Sequence, residues 1–243
     1  MTMARIDRVW PDSAPDVDDD TLVTRPDGPW LRVNFVSSVD GGATTDGLSG
    51  ALSGEADKRV FELLRRTTDA VLVGAGTVRS EGYGAMRVSD ASVTWRLARG
   101  LSEHPVFVIV SGSLDLDPAS EIFTKAPVLP IVVTTGKSSV ASRARFEGLA
   151  RVIVAGDEEV DVVGMLRALR ELGLGNILNE GGPSLFGSLL EVGAVDELRL
   201  TVSPVLVAGD AKRISGGPLQ HPVDATLCEI LVSGDVLMLR YLF

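Results

Sequence analysis

The chain has 243 residues, 45% of them hydrophobic, with a mean hydropathy of +0.23, which suits one large α/β domain and leaves little room for a second full one. A formal net charge of -10 excludes a general nucleic-acid binder, since a polyanion needs a basic face, but not a local basic pocket for one anionic small molecule. A lone cysteine excludes an internal disulfide, no apolar run reaches the roughly 18 residues of a membrane span, and no secretory hydrophobic region opens the chain, so a cytoplasmic protein without membrane contacts is expected.

Residues 1–29 carry Asp7, Asp12, Asp16, Asp18, Asp19, Asp20 and Asp27 among four prolines, and read as an acidic arm lying on the domain surface. One domain is expected over 30–243. It begins with a strand from Leu31 to Val36, followed by Ser37-Ser38-Val39-Asp40-Gly41-Gly42. An Asp-Gly pair is most often a turn, but Asp40 at a strand end is also suited to accepting a hydrogen bond from a polar substrate or to orienting water. A helix is expected over Gly54 to Thr67, with Val60, Phe61 and Leu64 on its apolar side, Glu55 and Asp57 in its first turn, and Arg65 and Arg66 in its last. Lys58, Arg59, Arg65 and Arg66 read mainly as surface charges, one of which can reach a substrate phosphate.

A buried strand over Ala70 to Val73 runs into Gly74-Ala75-Gly76-Thr77-Val78, which opens like a dinucleotide fingerprint but has Arg79 where the third glycine belongs. The next strand, Val106 to Val110, ends in Ser111-Gly112-Ser113, with no acid to hold an adenosine ribose. That favours a 2′-phosphate and hence NADPH over NADH, with Lys137 or an arginine assisting. Further strands are expected at Pro130 to Val133 and Arg151 to Val154, with a short helix from Ser138 to Phe146. Asp157 then caps a helix carrying Val160, Val163, Leu166 and Leu169, which Gly173 and Gly175 end.

After the short strand Asn176 to Leu178 comes Asn179-Glu180-Gly181-Gly182-Pro183-Ser184-Leu185-Phe186. Proline suits the first helical turn because it has no amide proton to leave unpaired. The two glycines remove side chains where the first helix amides point outward, so an anion can approach the backbone, and Glu180 sits at the carboxyl end of a strand, where α/β proteins bind ligands. Asp40 and Glu180 form the best pair of carboxylates for recognising an amino-pyrimidine or pteridine edge. The last strands, Glu197 to Val202, Ala225 to Val232 and Val236 to Tyr241, lack intervening helices, and Ser233-Gly234-Asp235 makes a hairpin turn, so the sheet should be mixed with an antiparallel C-terminal end. Cys228 reads as core filling. His104 and His221 lie far apart before prolines, no Cys/His spacing fits a metal, and neither a nucleophile elbow nor a phosphate loop of the G-x-x-x-x-G-K-[ST] type occurs.

The segments Ser37–Gly41 (SSVDG), Asp69–Val78 (DAVLVGAGTV) and Asn179–Leu198 (NEGGPSLFGSLLEVGAVDEL) resemble the C-terminal reductase domain of bacterial bifunctional riboflavin-biosynthesis deaminase/reductases, over about Trp30 to Phe243. The resemblance implies a dihydrofolate-reductase-like, three-layer α/β/α fold with a mixed, mostly parallel sheet. It implies an NADPH-dependent oxidoreductase that reduces the ribosyl moiety of 5-amino-6-(5-phosphoribosylamino)uracil to the ribityl product. On this reading NADPH lies along Val36, Ser37, Gly74, Ala75, Gly76, Thr77, Ser111, Gly181, Gly182, Pro183, Ser184 and Leu185, and the substrate meets Ser53, Arg65 and Glu180, with Asp40 and Glu180 at the reacting ends.

The chain departs from the family at Arg79-Ser80-Glu81-Gly82-Tyr83-Gly84, where the family has an acidic stretch ending in Asp-Pro; Arg87 is the candidate for the arginine that follows it. This departure touches the substrate loop and makes dihydrofolate or another pterin the alternative substrate. Two non-reductase alternatives are a catalytically silent NADPH-binding protein and a nucleotide or sugar-phosphate transferase that ignores the nicotinamide ring. The zinc deaminase half of the bifunctional enzymes is not in these residues, so deamination is expected of another protein. A homodimer through the C-terminal sheet region is also expected, because the long apolar final strands would otherwise expose a flat edge; the alternative is a monomer in which the N-terminal arm covers that edge.

Overall fold

A computed structural model describes residues 4–217 and 219–243. In chain order the elements are β1 (Asp7–Trp10), α1 (Asp19–Leu22), β2 (Trp30–Ser38), α2 (Glu55–Thr67), β3 (Ala70–Gly74), α3 (Ala75–Glu81), α4 (Asp90–Leu97), β4 (Val106–Val110), α5 (Glu121–Thr124), β5 (Ile131–Thr134), α6 (Val140–Ala144), β6 (Arg151–Val154), α7 (Val162–Glu171), β7 (Asn176–Asn179), α8 (Pro183–Glu191), β8 (Glu197–Ser203), β9 (Thr226–Ser233) and β10 (Val236–Leu242). The ten strands form one sheet in the order β1-β9-β10-β8-β2-β7-β3-β4-β5-β6. Pairing from β8 through β6 is parallel, whereas β10 pairs antiparallel with β8 and β9, and β9 with β1.

Successive strand residues point to opposite faces, and each face of the parallel part is covered by helices. Leu31, Val33, Ala70, Leu72 and Ile177 pack with Met165, Leu166 and Leu169 of α7 and Phe186 and Leu189 of α8. Val71, Val73, Phe107 and Ile109 face the other way, against Val78 of α3, Ile122 and Phe123 of α5, and Phe146. Beside them α2 sets Val60, Leu63 and Leu64 on Leu178, Leu231 and Met238. The result is the three-layer α/β/α arrangement with antiparallel C-terminal strands that the sequence predicts.

Three local readings change. The cap of α7 is Asp161, whose Oδ1 accepts from the Gly164 amide at 3.0 Å, not Asp157. The helix therefore starts later than read, leaving Val163 58% exposed while Met165 takes the core position. The helix expected over Ser138 to Phe146 is shorter, with Ser139 as its cap. Phe61 does not join Val60 and Leu64 in the core, but lines a cavity.

The acidic arm is integrated into the fold. Strand β1 pairs with β9, Ile6, Val17, Leu22 and Val23 are buried with α2, and Asp19 and Asp20 pair with Arg59 at 2.7 Å and Arg66 at 2.9 Å. Behind it, on the α2 side of the sheet, lies a buried ionic cluster. Glu197 Oε1 meets Arg199 Nε at 2.6 Å and Arg32 Nε at 3.0 Å, and Arg199 Nη1 meets Glu229 Oε2 at 3.0 Å. Burial would raise the pKa of Glu197, but Arg199, Arg32 and Arg240 together hold it well below the usual carboxylate range. On the opposite face, strand alternation leaves Leu237, Leu239, Ile230 and Val232 without a covering helix among the described residues, and Leu237 is 41% exposed.

Candidate active site

A cavity of about 950 Å³ opens at the carboxyl ends of the parallel strands, bounded by the ends of β2, β3, β4 and β7 and by one face of α2. At its floor the two glycine turns touch. The Gly74 amide donates to Gly181 O at 3.1 Å, and a Cβ on Gly182 would lie 3.4 Å from Gly74 Cα. Gly181 and Gly182 also have φ values of +131° and +94°, which L side chains rarely adopt. The glycines are thus demanded first by backbone conformation and by each other. What they expose is the start of α8, whose first-turn amides lack intrahelical acceptors and, with Pro183 at the first position, face the cavity beside Ser184 and Leu185.

Of the residues expected along the cofactor, Val36, Gly74, Ala75, Gly76, Thr77, Ser111, Gly181, Gly182, Pro183, Ser184 and Leu185 all line this one cavity. Ser37 does not, being buried within β2. Added atoms at Gly76 would meet open space, which leaves the α3 entrance accessible to a ligand. The serines at 111 and 113 lie on the same wall as Arg79. Lys137, expected as a phosphate partner, is instead engaged with Glu158 and lies outside the lining. Arg79, the residue that breaks the glycine fingerprint, takes its place as the cation on this wall, anchored by Nη1 donating to Asp115 O at 2.8 Å.

At the other end α2 presents Asp57, Lys58, Phe61 and Arg65, spaced to share a helix face, beside Ser53, Thr44, Ser49 and Tyr83. Arg65 and Glu180, both expected to touch substrate, are each other's partners. Arg65 Nε donates to Glu180 Oε1 at 2.5 Å and Nη2 to Oε2 at 2.6 Å, while the Tyr83 hydroxyl donates to Oε2 at 3.1 Å. The Glu180 side chain is fully enclosed. Burial disfavours the Arg65 charge, yet Glu180 outweighs it and keeps the guanidinium charged; burial, reinforced by Glu180, pushes the Tyr83 phenol well above its ordinary pKa. Tyr83 stacks on Phe107 at 5.6 Å, and Arg65 lies over Phe61 at 4.4 Å.

Two expected site residues are not brought here. Arg87 lies outside the lining and donates to Lys125 O at 3.0 Å. Asp40 also lies outside it. Its carboxylate accepts from Ser38 Oγ and from the amides of Val207 at 3.2 Å and Ala208 at 2.7 Å, tying the β2 end to the loop after β8. These bonds, Ser38 first, lower its pKa to about 2, so it has no proton to give near neutral pH. Asp57, Tyr83 and Lys212 are lining residues that motif reading missed. The helical spacing from 57 to 61 and 65 is the signal that marks the first; the chain's departure from its family marks the second.

The lining carries Lys58, Arg65, Arg79 and Lys212 against Asp57, Glu81, Glu159 and Glu180, so a chain of net charge -10 keeps its cavity formally balanced. With Glu180 cancelled by Arg65, Lys58, Lys212 and Arg79, the last 3.6 Å from Asp115, remain beside Asp57, Glu81 and Glu159. Among the described residues no cluster of His, Cys, Asp and Glu fits a metal ion, and no helix is long and apolar enough to cross a membrane.

The family model for the RibD C-terminal domain matches residues 29–239, nearly the whole chain. The chain belongs to the RibD C-terminal domain family. It is 30% identical over 220 residues to the 2,5-diamino-6-ribosylamino-4(3H)-pyrimidinone 5′-phosphate reductase of Methanothermobacter thermautotrophicus, covering 88% of this chain and 97% of that protein. It is 27% identical to the riboflavin biosynthesis protein RibD of Bacillus amyloliquefaciens over 74% of this chain, which spans only 47% of that longer relative. A crystal structure of a pyrimidine reductase-like protein from Corynebacterium diphtheriae superposes with a TM-score of 0.80 at 29% identity, covering 88% and 91% of the two chains. The fold is that of the dihydrofolate-reductase-like reductases, and this RibD-family chain is an enzyme of the reductase class.

Proposed function

We propose that the protein is an NADPH-dependent reductase of a phosphoribosylaminopyrimidine, converting its ribosyl group to a ribityl group in riboflavin biosynthesis. The observation that carries this reading is the single cavity in which the glycine-flanked start of α8 and the cation-bearing face of α2 meet. The 5-amino-6-(5-phosphoribosylamino)uracil expected from the sequence and the diaminopyrimidinone in the name of the Methanothermobacter relative both belong to this class.

The cavity residues fit the cofactor. First-turn amides of α8 and the open backbone at Gly76 suit a pyrophosphate, an anion at a helix start being favoured by about 0.3–1 kcal/mol at exposed sites. Ser111, Ser113 and Arg79 suit the 2′-phosphate. Bound there, NADPH supplies a hydride for the open-chain C1′ of the ribose. The chain's own part is orientation: Arg65, fixed by both Glu180 oxygens and braced by Tyr83, keeps Nη1 for the substrate, while Lys58 and Lys212 supply charge for its phosphate. Titration with both coenzymes tests the first part, with comparable affinities for NADPH and NADH overturning it. Loss of reduced-nicotinamide absorbance on the phosphoribosylaminopyrimidine, run beside dihydrofolate, tests the second; turnover of dihydrofolate alone would assign the pterin alternative.

A homodimer forms, on this proposal, through the open face rather than the edge. The edge that motivated a dimer is covered by β1, whereas Leu237, Leu239, Ile230 and Val232 remain without a helix over them. A monomeric mass at micromolar concentration would remove the dimer.

A further inference from the structure

The carboxylates expected to read the substrate ring are occupied elsewhere: Glu180 by Arg65 and Tyr83, and Asp40 by the loop at Val207 and Ala208. Of the other acids lining the cavity, Glu81 accepts from the Ser49 amide at 2.9 Å, and Glu159 is exposed. Asp57 differs from all of these. It is 5% exposed, lines the substrate end, and has Ser53 Oγ on Oδ2 as its hydrogen-bond partner, with no cation paired to it among the described residues. A carboxylate has about four acceptor sites, and one hydroxyl leaves most of them open to the cavity for a ligand's donors. One helical turn further on, Phe61, with Arg65 over one part of its ring at 4.4 Å, lines the same end of the cavity.

We propose that Asp57, oriented by Ser53, is the specificity-determining residue of this cavity and that it selects a 2-amino-4-oxopyrimidine ring over the corresponding uracil. The inference rests on the reductase reading and names its substrate more narrowly. A 2-amino-4-oxopyrimidine presents a ring N–H and an exocyclic amino group side by side, two parallel donors that match two carboxylate oxygens as a guanidinium does. In uracil the amino group is a carbonyl, so one donor is lost and an oxygen faces the carboxylate. Sites built around such hydrogen bonds discriminate far more strongly than apolar pockets do, because the wrong ligand leaves a buried group unpaired. A ribosylated diaminopyrimidinone and a dihydropterin share the recognised edge.

Calorimetric titration of the full chain, saturated with NADP⁺, with the 2,5-diaminopyrimidinone ribotide, its deaminated uracil counterpart and dihydrofolate tests this. At least one amino ligand should bind about 100-fold or more tightly than the uracil, and which one separates ribotide from pterin. Asp57→Asn should erase or invert the preference, since the amide can donate to the uracil carbonyl, and Ser53→Ala should weaken it, both with unchanged NADPH affinity. Equal or tighter binding of the uracil by the unsubstituted chain, or an unaltered ratio in Asp57→Asn, overturns the proposal. NADPH oxidation is followed separately: ring preference without turnover would sink the reductase reading alone, and turnover without ring preference would sink this one alone.

Discussion

Two buried ionic groups lie on the same side of the sheet and solve the same electrostatic problem differently. Around Glu197, three arginines from β2, β8 and β10 converge with Glu229 and the Trp30 indole N–H, and the arm is paired along the β9 edge beyond them. Around Glu180, one arginine closes both oxygens, and the pair lies in the wall of a cavity, the Arg65 side chain remaining 18% exposed. In the first group Arg32 and Arg199 are buried, and Arg240, 29% exposed, does not line the site cavity. In the second, Arg65 spends two nitrogens on Glu180 and keeps the third. The lesson is that a buried ion pair marks a functional position only where one partner retains a donor at a cavity rather than at the open surface.

This contrast can be broken by experiment. The largest effect is expected from Glu197→Gln, which leaves buried Arg32 and Arg199 and the partly exposed Arg240 short of a shared counter-charge. Removing one partner of a buried pair costs about 3–5 kcal/mol, and equilibrium denaturation should show a loss of that order with NADPH affinity in the surviving native protein unchanged. Because folding holds Glu197 below its ordinary value of 4.5, its contribution is fully present above that pH and is lost as pH falls below it. The substituted chain should therefore show a shallower acid limb in its stability profile. An unchanged limb would mean that the cluster does not govern acid stability.

Next comes the cavity pair. Glu180→Gln should destabilise by less, about 2–3 kcal/mol, because Arg65 can turn partly to solvent, but it should lower turnover by at least about tenfold. Replacing both by methionine sharpens the comparison. Stability should return, since a packed apolar pair is often no worse than a buried ion pair, whereas activity should not. Recovery of both would reduce the cavity pair to the same structural role as the Glu197 cluster.

The central strands β3 and β4 were legible because each is a short apolar run buried on two faces, at Ala70–Val73 and Val106–Val110. The arm was not legible as strand and helix: β1 is half charged, and its partner is β9, more than 200 residues away. At the site, the glycine turns announced themselves because backbone conformation restricts the residue type locally. The pairing of Arg65 with Glu180 spans 115 positions, so each could be recognised as a candidate while their mutual engagement could not. Asp57 was visible only as a favourable first-turn acid, a role that hides which way its helix face turns. The place of Asp40 outside the cavity lining was equally hidden, its partners being amides 167 and 168 positions away.

Smaller effects probe the two ends of the cavity. Gly182→Ala forces an L side chain into a φ of +94° beside Gly74, which should cost about 1–2 kcal/mol in stability and weaken NADPH binding about tenfold. Arg79→Ala should leave stability within about 0.5 kcal/mol, as expected of an exposed surface substitution, and lower NADPH affinity by about three- to tenfold while sparing NADH. Equal losses for both coenzymes would place Arg79 on the pyrophosphate instead.

The smallest effect on chemistry is expected at Asp40. An ionised carboxylate whose oxygens hold Ser38 and two loop amides has no proton to deliver, so Asp40→Asn should leave turnover within about twofold at saturating substrate. What should change is the loop after β8, which also carries Lys212 to the cavity wall; limited proteolysis between Val205 and Arg213 should quicken in the substituted chain. With the Asp40 pKa near 2, the same loosening should appear in the unsubstituted protein as pH falls toward that value and be absent above about 4. A large fall in turnover with no change in loop protection would return Asp40 to the reaction centre and contradict the placement described above.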